Sequence, residues 1–299
     1  MTRNHCTLIV PTPYNWETSL KTHGWFQLPP FYWCEKEKAL YWATAPEGRP
    51  VLLCVKASAD KGMQMLVVTG DFNDAAPVLR RLRRILNIDL ELNEFYELCR
   101  QHSFLAEVPV RGLGRIMRCE TVYEDLFKGI CGTNVQWNQA VRMIRAIAEI
   151  GEPVEGGSYR LFPTPRQILD AGGSFLKQVG RVGYRSRYLL DLAARFVDVD
   201  LEEMTKQVEA MDGAECRRYF ESFAGIGKVT ARYLAALYGH FDELAVDSLV
   251  INFLARHRFG GRTPTAKEVE QLYAPFSKWS YLAYWMEFIL NEGWTPHDL

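Results

Sequence analysis

Apolar residues recur in two rhythms along this chain, and the change of rhythm divides it. Before about residue 70 the apolar runs are short and β-like: Leu40-Tyr-Trp-Ala-Thr-Ala45, Val51-Leu-Leu-Cys-Val-Lys56 and Met63-Gln-Met-Leu-Val-Val-Thr69. Gly-, Pro- and Asp-rich turns separate them, which predicts an antiparallel meander. In Pro77–Leu86 the spacing becomes helical, with apolar residues at 78, 79, 82, 85 and 86. The four arginines of that stretch, Arg80, Arg81, Arg83 and Arg84, read as a solvated basic face, with contact to a polyanion as the alternative.

From about residue 106 the pattern is almost entirely helical. Thr121–Cys131 places apolar residues at 122, 123, 126, 127, 130 and 131, and Gln139–Ile150 repeats the rhythm. Phe162-Pro-Thr-Pro165 breaks the chain before a helix that starts at Thr164-Pro165. Further helices are expected near 174–180, 184–197, 215–222, 228–238, 247–257, 266–273 and 277–291. The expected fold class is α+β. A small antiparallel β-rich domain (1–105) precedes an all-helical domain (106–299).

The bulk properties narrow the function without naming it. The chain has 299 residues, 48% hydrophobic and 24% charged, enough for a substantial core. No apolar run approaches the roughly 18 residues that span a bilayer, and Met1–Val10 lacks a secretory pattern. Seven cysteines, at 6, 34, 54, 99, 119, 131 and 216, are scattered, which fits a reducing compartment and gives neither a disulfide framework nor a zinc site. The histidines lack a second ligand at helical spacing, so no metal site is expected. A net charge of −1 argues against a strongly basic nucleic-acid protein. It leaves room for an enzyme that grips a polyanion through a few amides and local cations.

One segment carries specific chemistry: Phe223-Ala-Gly-Ile-Gly-Lys-Val-Thr-Ala231, followed by Asp247 in Ala-Val-Asp-Ser-Leu-Val. Two glycines around Ile226 suit a tight hairpin, because glycine takes positive φ without penalty. The hairpin opens onto an apolar helix whose first N–H groups have no intrahelical partner and suit a phosphate. Lys228 stands in the first turn, where a cation opposes the helix dipole unless an anion lies nearby. Asp247 interrupts an apolar segment, which is costly unless the carboxylate has a partner or a task. It reads as a helix N-cap, as a reactive carboxylate, or as both.

These residues resemble the helix-hairpin-helix (HhH-GPD) DNA glycosylase superfamily, whose signature is a Leu-Pro-Gly-Val/Ile-Gly hairpin and a downstream catalytic Asp. Phe223-Ala224 replaces Leu-Pro here. Several strings resemble the 8-oxoguanine and 3-methyladenine glycosylase branches in the same order. Phe31-Tyr-Trp33 is similar to a Phe-Arg-Trp, Cys131-Gly-Thr-Asn-Val-Gln136 to a Cys-Ser-Ser-Asn-Asn-Asn, Phe162-Pro-Thr-Pro165 to a Phe-Pro-Ser, and Gly183-Tyr-Arg-Ser-Arg-Tyr188 to a Gly-Tyr-Arg-Ala-Arg-Tyr.

The resemblance implies duplex DNA as partner and a base flipped from the stack. Asp247 would be catalytic, and Gly225, Ile226, Gly227, Lys228 and Thr230 would hold the DNA backbone. Asn134 would fill the gap in the stack, its reading from residue type alone being a helix-to-helix turn. Arg185 and Arg187 would contact phosphate or form structural ion pairs. Tyr233, Tyr281 and Trp285 take base-pocket positions, with core packing as the alternative for each. The resemblance also implies a monovalent cation on the hairpin carbonyls. The family's four-cysteine iron–sulfur loop is not expected, because no cysteine follows Cys216.

A monomeric cytoplasmic (nucleoid) or nuclear enzyme is expected. It would release an alkylated purine in preference to an oxidised one, since Leu28 takes the place of the glycine that senses the oxidised ring. Aligned on Ala231, the lysine of the glycosylase/lyase branch becomes Val229, so release without strand cleavage is expected. The rival readings are an oxidised-purine glycosylase/lyase using Lys228 and a non-catalytic duplex-binding protein.

Overall fold

A computed structural model describes residues 4–60, 63–154 and 156–293; the outer ends of the two expected domains lie outside this range. The three expected strands form as β3 (Ala39–Thr44), β4 (Val51–Asp60) and β5 (Met63–Gly70). Two more strands, β1 (Asn4–Ile9) and β2 (Phe31–Cys34), join the edges and complete an antiparallel sheet of order β1-β5-β4-β3-β2. Sequence reading missed both edge strands. β1 buries one residue well, Leu8, so it shows almost no alternation. β2 is four residues long and follows two prolines.

One face of the sheet packs on α1 (Trp16–Leu20) and α2 (Ala75–Ile85) through Phe31, Trp42, Leu53, Val55, Val68, Val78 and Leu82. Arg80 and Arg83 keep the expected solvated face of α2, and Arg81 and Arg84 depart from it. Arg84 is buried and its guanidinium meets Glu202 at 3.0 Å and Glu209 at 2.8 Å. Arg81 reaches Glu120 at 2.5 Å, and Glu120 also accepts from Thr44 and Trp42. Ion pairs hidden from solvent contribute most when every lone pair is used, and here they tie the sheet layer to the helices.

The helices follow as α3 (Asn93–Gln101), α4 (Glu107–Val110), α5 (Val122–Gly132), α6 (Trp137–Ala148), α7 (Pro165–Gln178) and α8 (Ser186–Phe196). Then come α9 (Leu201–Glu209), α10 (Gly213–Glu221), α11 (Lys228–Leu237), α12 (Ser248–His257), α13 (Ala266–Tyr273) and α14 (Ser280–Glu292). Their caps explain the boundaries: Thr164 opens α7 with a capping box to Gln167, as its Thr-Pro start predicts. Leu92, the N-cap of α3, and Phe95, Tyr96 and Cys99 of α3 pack into the helical core, and so do Trp25 and Leu28 from the N-terminal segment. No helix among the described residues is long and apolar enough to cross a membrane.

Candidate functional site

The hairpin lies between α10 and α11. Ile226 and Phe223 anchor it with their side chains buried, and the Ile226 N–H donates to the Phe223 carbonyl at 3.1 Å. Gly225 has φ +92, and a Cβ there would lie 2.7 Å from the Tyr188 ring. Gly227 departs from expectation. Its φ is −94, and a Cβ there would meet no protein atom within 4 Å. Only the first glycine is needed for backbone geometry; the second leaves open space in front of α11. Gly227 is the N-cap and supplies no side-chain acceptor, so the first-turn amides of α11 remain uncapped. Lys228 and Val229 are exposed beside them, and Thr230 is half-buried.

Asp247 is the N-cap of α12 and its carboxylate accepts the Val250 N–H at 3.0 Å. Both readings of this residue therefore remain compatible: capping employs the carboxylate without hiding it. The side chain is reached by solvent, yet surrounding protein desolvates it and pushes its pKa above the usual aspartate value against the opposing backbone hydrogen bonds. Its charge acts on the hydroxyls of Tyr281 and Tyr284.

The expected pocket aromatics do converge near this carboxylate. Tyr281 and Trp285 stack at 6.2 Å and 13°, and Trp285 continues onto Phe288 at 5.4 Å and 19°. The Trp285 indole N–H donates to the Thr22 carbonyl at 2.8 Å, fixing the ring. Tyr233, on α11, meets His23 Nε2 through its hydroxyl at 2.7 Å. His23 and Trp25 went unnoticed in the sequence, because an isolated histidine and one tryptophan carry no periodic signal. Beneath them Lys128, fully buried, pairs with Glu124 at 2.6 Å and stands 5.6 Å from the Trp25 ring centroid. Leu28 is completely buried in the helical core.

Asn134 lies exposed on the turn between α5 and α6 with φ +51, the left-handed conformation that asparagine tolerates. Its amide approaches the Tyr184 hydroxyl at 3.4 Å. The two arginines expected at phosphate separate. Arg185 is buried, and its guanidinium donates to the Thr133 carbonyl at 3.1 Å, bracing the turn that presents Asn134. Arg187 is exposed, with its guanidinium 4.6 Å from the Tyr188 ring centroid. Tyr184, 51% exposed, packs edge-on against Tyr188 at 6.1 Å, and Tyr188 underlies Gly225. Asn134, Tyr184, Arg187 and the hairpin are thus linked through contacting side chains. Tyr184 could have been found from its place inside the basic string Gly183–Tyr188.

No protein-family model matches the chain, and no curated protein does at the level of sequence. Solved structures do match. A 3-methyladenine DNA glycosylase from Archaeoglobus fulgidus superposes with a TM-score of 0.78 at 21% identity, covering 97% of this chain and 99% of that one. MBOgg1 in complex with a low-affinity DNA ligand gives 0.69 at 17%, over 97% and 100%. The Clostridium acetobutylicum 8-oxoguanine glycosylase/lyase gives 0.64 at 15% in its apo form, over 91% and 93%. The chain therefore has the α+β fold of these DNA glycosylases, from the sheet through to the last helix.

Proposed function

We propose that the chain is a DNA N-glycosylase that flips a damaged purine from duplex DNA and hydrolyses its N-glycosidic bond. One observation carries this reading: a solvent-reached, partly desolvated carboxylate, Asp247, beside an aromatic stack, with an uncapped hairpin helix in the same core. The carboxylate would stabilise the positive charge that develops at C1′ and orient or deprotonate the attacking water. A fixed anion that protein partly shields from water interacts more strongly with a developing cation than one in bulk water.

The hairpin amides, Lys228 and Arg187 would hold backbone phosphates, Asn134 would enter the gap, and Arg185 would hold that turn in place. A monovalent cation on the hairpin carbonyls belongs to the same proposal. Among the described residues no cluster of three or more His, Cys, Asp or Glu side chains could hold a metal ion.

An alkylated purine is the favoured substrate, because N3- or N7-alkylation makes the base cationic and the faces of Tyr281 and Trp285 attract cations. An oxidised purine is neutral and gains less. The reading includes base release without strand cleavage. Val229 precedes Tyr233 by four residues and shares its helix face, whereas Lys228 is rotated about 100° from Val229. The test is a panel of duplexes, each with one defined lesion, under single-turnover conditions. Release of an alkylated purine by the wild type, slowed by about 10²–10³ in Asp247→Asn, is expected. Tight duplex binding without release of any base would favour the non-catalytic alternative.

A further inference from the structure

The carboxylate proposed to act at C1′ stands at the end of a segment with no helix or strand of its own. Between α11 and α12 the chain runs irregularly from His240 to Asp247, so tertiary contacts rather than a backbone ladder decide where Asp247 stands. Two carbonyls of this segment are fastened to other elements. Phe241 accepts the backbone N–H of Tyr281 at 2.8 Å, one of the amides that the start of α14 leaves without an intrahelical partner. Leu244 accepts from the Arg232 guanidinium of α11 at 3.3 Å.

Glu243 lies between these two fastenings and uses both carboxylate oxygens. Oε1 is 3.0 Å from Nε of Arg217, and Oε2 is 2.7 Å from Nε of Arg232. Arg217 belongs to α10 and Arg232 to α11, the helices on either side of the hairpin. The terminal nitrogens of Arg217 also hold Asp242, at 2.8 and 3.0 Å. A single exposed ion pair contributes little. Here one arginine forks onto a carboxylate, two arginines share another, and the Arg217 side chain is only 12% exposed.

We propose that Glu243 is a positioning residue: by joining α10 and α11 to the segment that ends at Asp247, it sets where the carboxylate stands relative to the hairpin and to Tyr281. Phosphates held at the hairpin and a base held against Tyr281 fix where C1′ falls, and Asp247 has to meet it there. Left free, the stretch from Phe241 to Asp247 could reach about 20 Å. A misplacement of about 1 Å in a reacting group costs about 10²-fold in rate. The inference rests on the glycosylase reading and deepens it by naming what aligns the carboxylate with the phosphate grip.

The experiment uses duplex DNA treated with dimethyl sulfate, which carries methylated purines, with the full-length protein in excess. Release of free base over time gives the limiting rate constant, kmax, and the protein concentration that half-saturates it. Fewer folded molecules or a weaker duplex grip raise the half-saturating concentration and leave kmax alone, so a merely structural role for Glu243 does not move kmax. Glu243→Ala and Arg232→Ala should each lower kmax by about tenfold, the effect of a sub-ångström displacement, at an unchanged half-saturating concentration. Glu243→Gln, which keeps an oxygen for one of the two arginines, should fall between Glu243→Ala and wild type. Arg262→Gln, which breaks the exposed pair with Glu268 on α13, should keep the wild-type kmax. A kmax within twofold of wild type in either alanine variant, or a change confined to the half-saturating concentration, overturns the inference and leaves the glycosylase reading intact. A wild type that frees no methylated purine overturns that reading and the inference with it.

Discussion

The hairpin and the aromatic cluster proposed to hold the base share one helix, α11, and are built in opposite ways. The hairpin is contiguous chain, Phe223 to Ala231, and the groups proposed to grip phosphate are backbone amides at the helix N-terminus. The aromatic cluster draws on residues 22–25, on Tyr233 and on Tyr281–Phe288, nearly all buried and fixed by side-chain contacts. A phosphate grip needs only what a turn supplies locally, one positive φ and a free helix end. Reading a base needs flat faces and a fixed hydroxyl, which no single element provides. Damage to the first should therefore be graded and salt-dependent; damage to the second should change stability or chemistry.

The largest effect is expected beneath the aromatic cluster. Lys128→Met leaves Glu124 buried without its cation and should cost about 3–5 kcal/mol of stability, read by urea unfolding. A loss below about 1 kcal/mol, the level of an exposed pair, would show that the pair does not support the aromatic cluster.

Next comes Asp247→Asn. Asparagine still caps α12, so the melting temperature and duplex affinity should barely change, while single-turnover base release falls by about 10²–10³. Wild-type release should also decline on acidification. The reaction needs the carboxylate, and desolvation raises its pKa, so activity is present above that pKa and lost as pH falls through it. The midpoint should lie above the ordinary aspartate value. A rate independent of pH down to the ordinary value would contradict the assigned role.

The two hairpin glycines should then part. Gly225→Ala forces a Cβ onto Tyr188 at φ +92 and should destabilise the fold by about 1–3 kcal/mol. Gly227→Ala meets no protein atom, so it should leave stability alone and weaken binding to any duplex, damaged or not. Equal effects of the two substitutions on stability would break the distinction.

The smallest effects belong to the exposed cations. Lys228→Gln and Arg187→Gln should each reduce the salt dependence of duplex binding by about one counterion. Neither should affect borohydride trapping. A trapped covalent complex in the wild type that disappears in Lys228→Gln would make the protein a glycosylase/lyase and Lys228 its nucleophile.

Legibility followed the same division. The central strands and most helices from α5 onward were readable because their apolar periods are strong, and the hairpin and Asp247 because their chemistry is local. α3 and α9 were not assigned, although Phe95 and Val208 are completely buried; both helices are nine residues long and mostly polar. Arg84 read as solvated because its partners Glu202 and Glu209 lie more than a hundred positions away. Tyr233, Tyr281 and Trp285 were assigned to a base pocket by resemblance alone, since helical aromatic spacing does not separate a core stripe from a binding wall.

By itself the amino-acid order determined the α+β class, the helix after the hairpin and the position of the capping carboxylate. Each depends on interactions between residues a few positions apart, where spacing stands for distance. Only the tertiary structure decided that Gly227 needs no positive φ, that Arg185 braces a turn, and that His23 reaches Tyr233 across 210 positions. Those outcomes depend on which buried polar groups find partners after the elements pack, and linear order does not encode that distance.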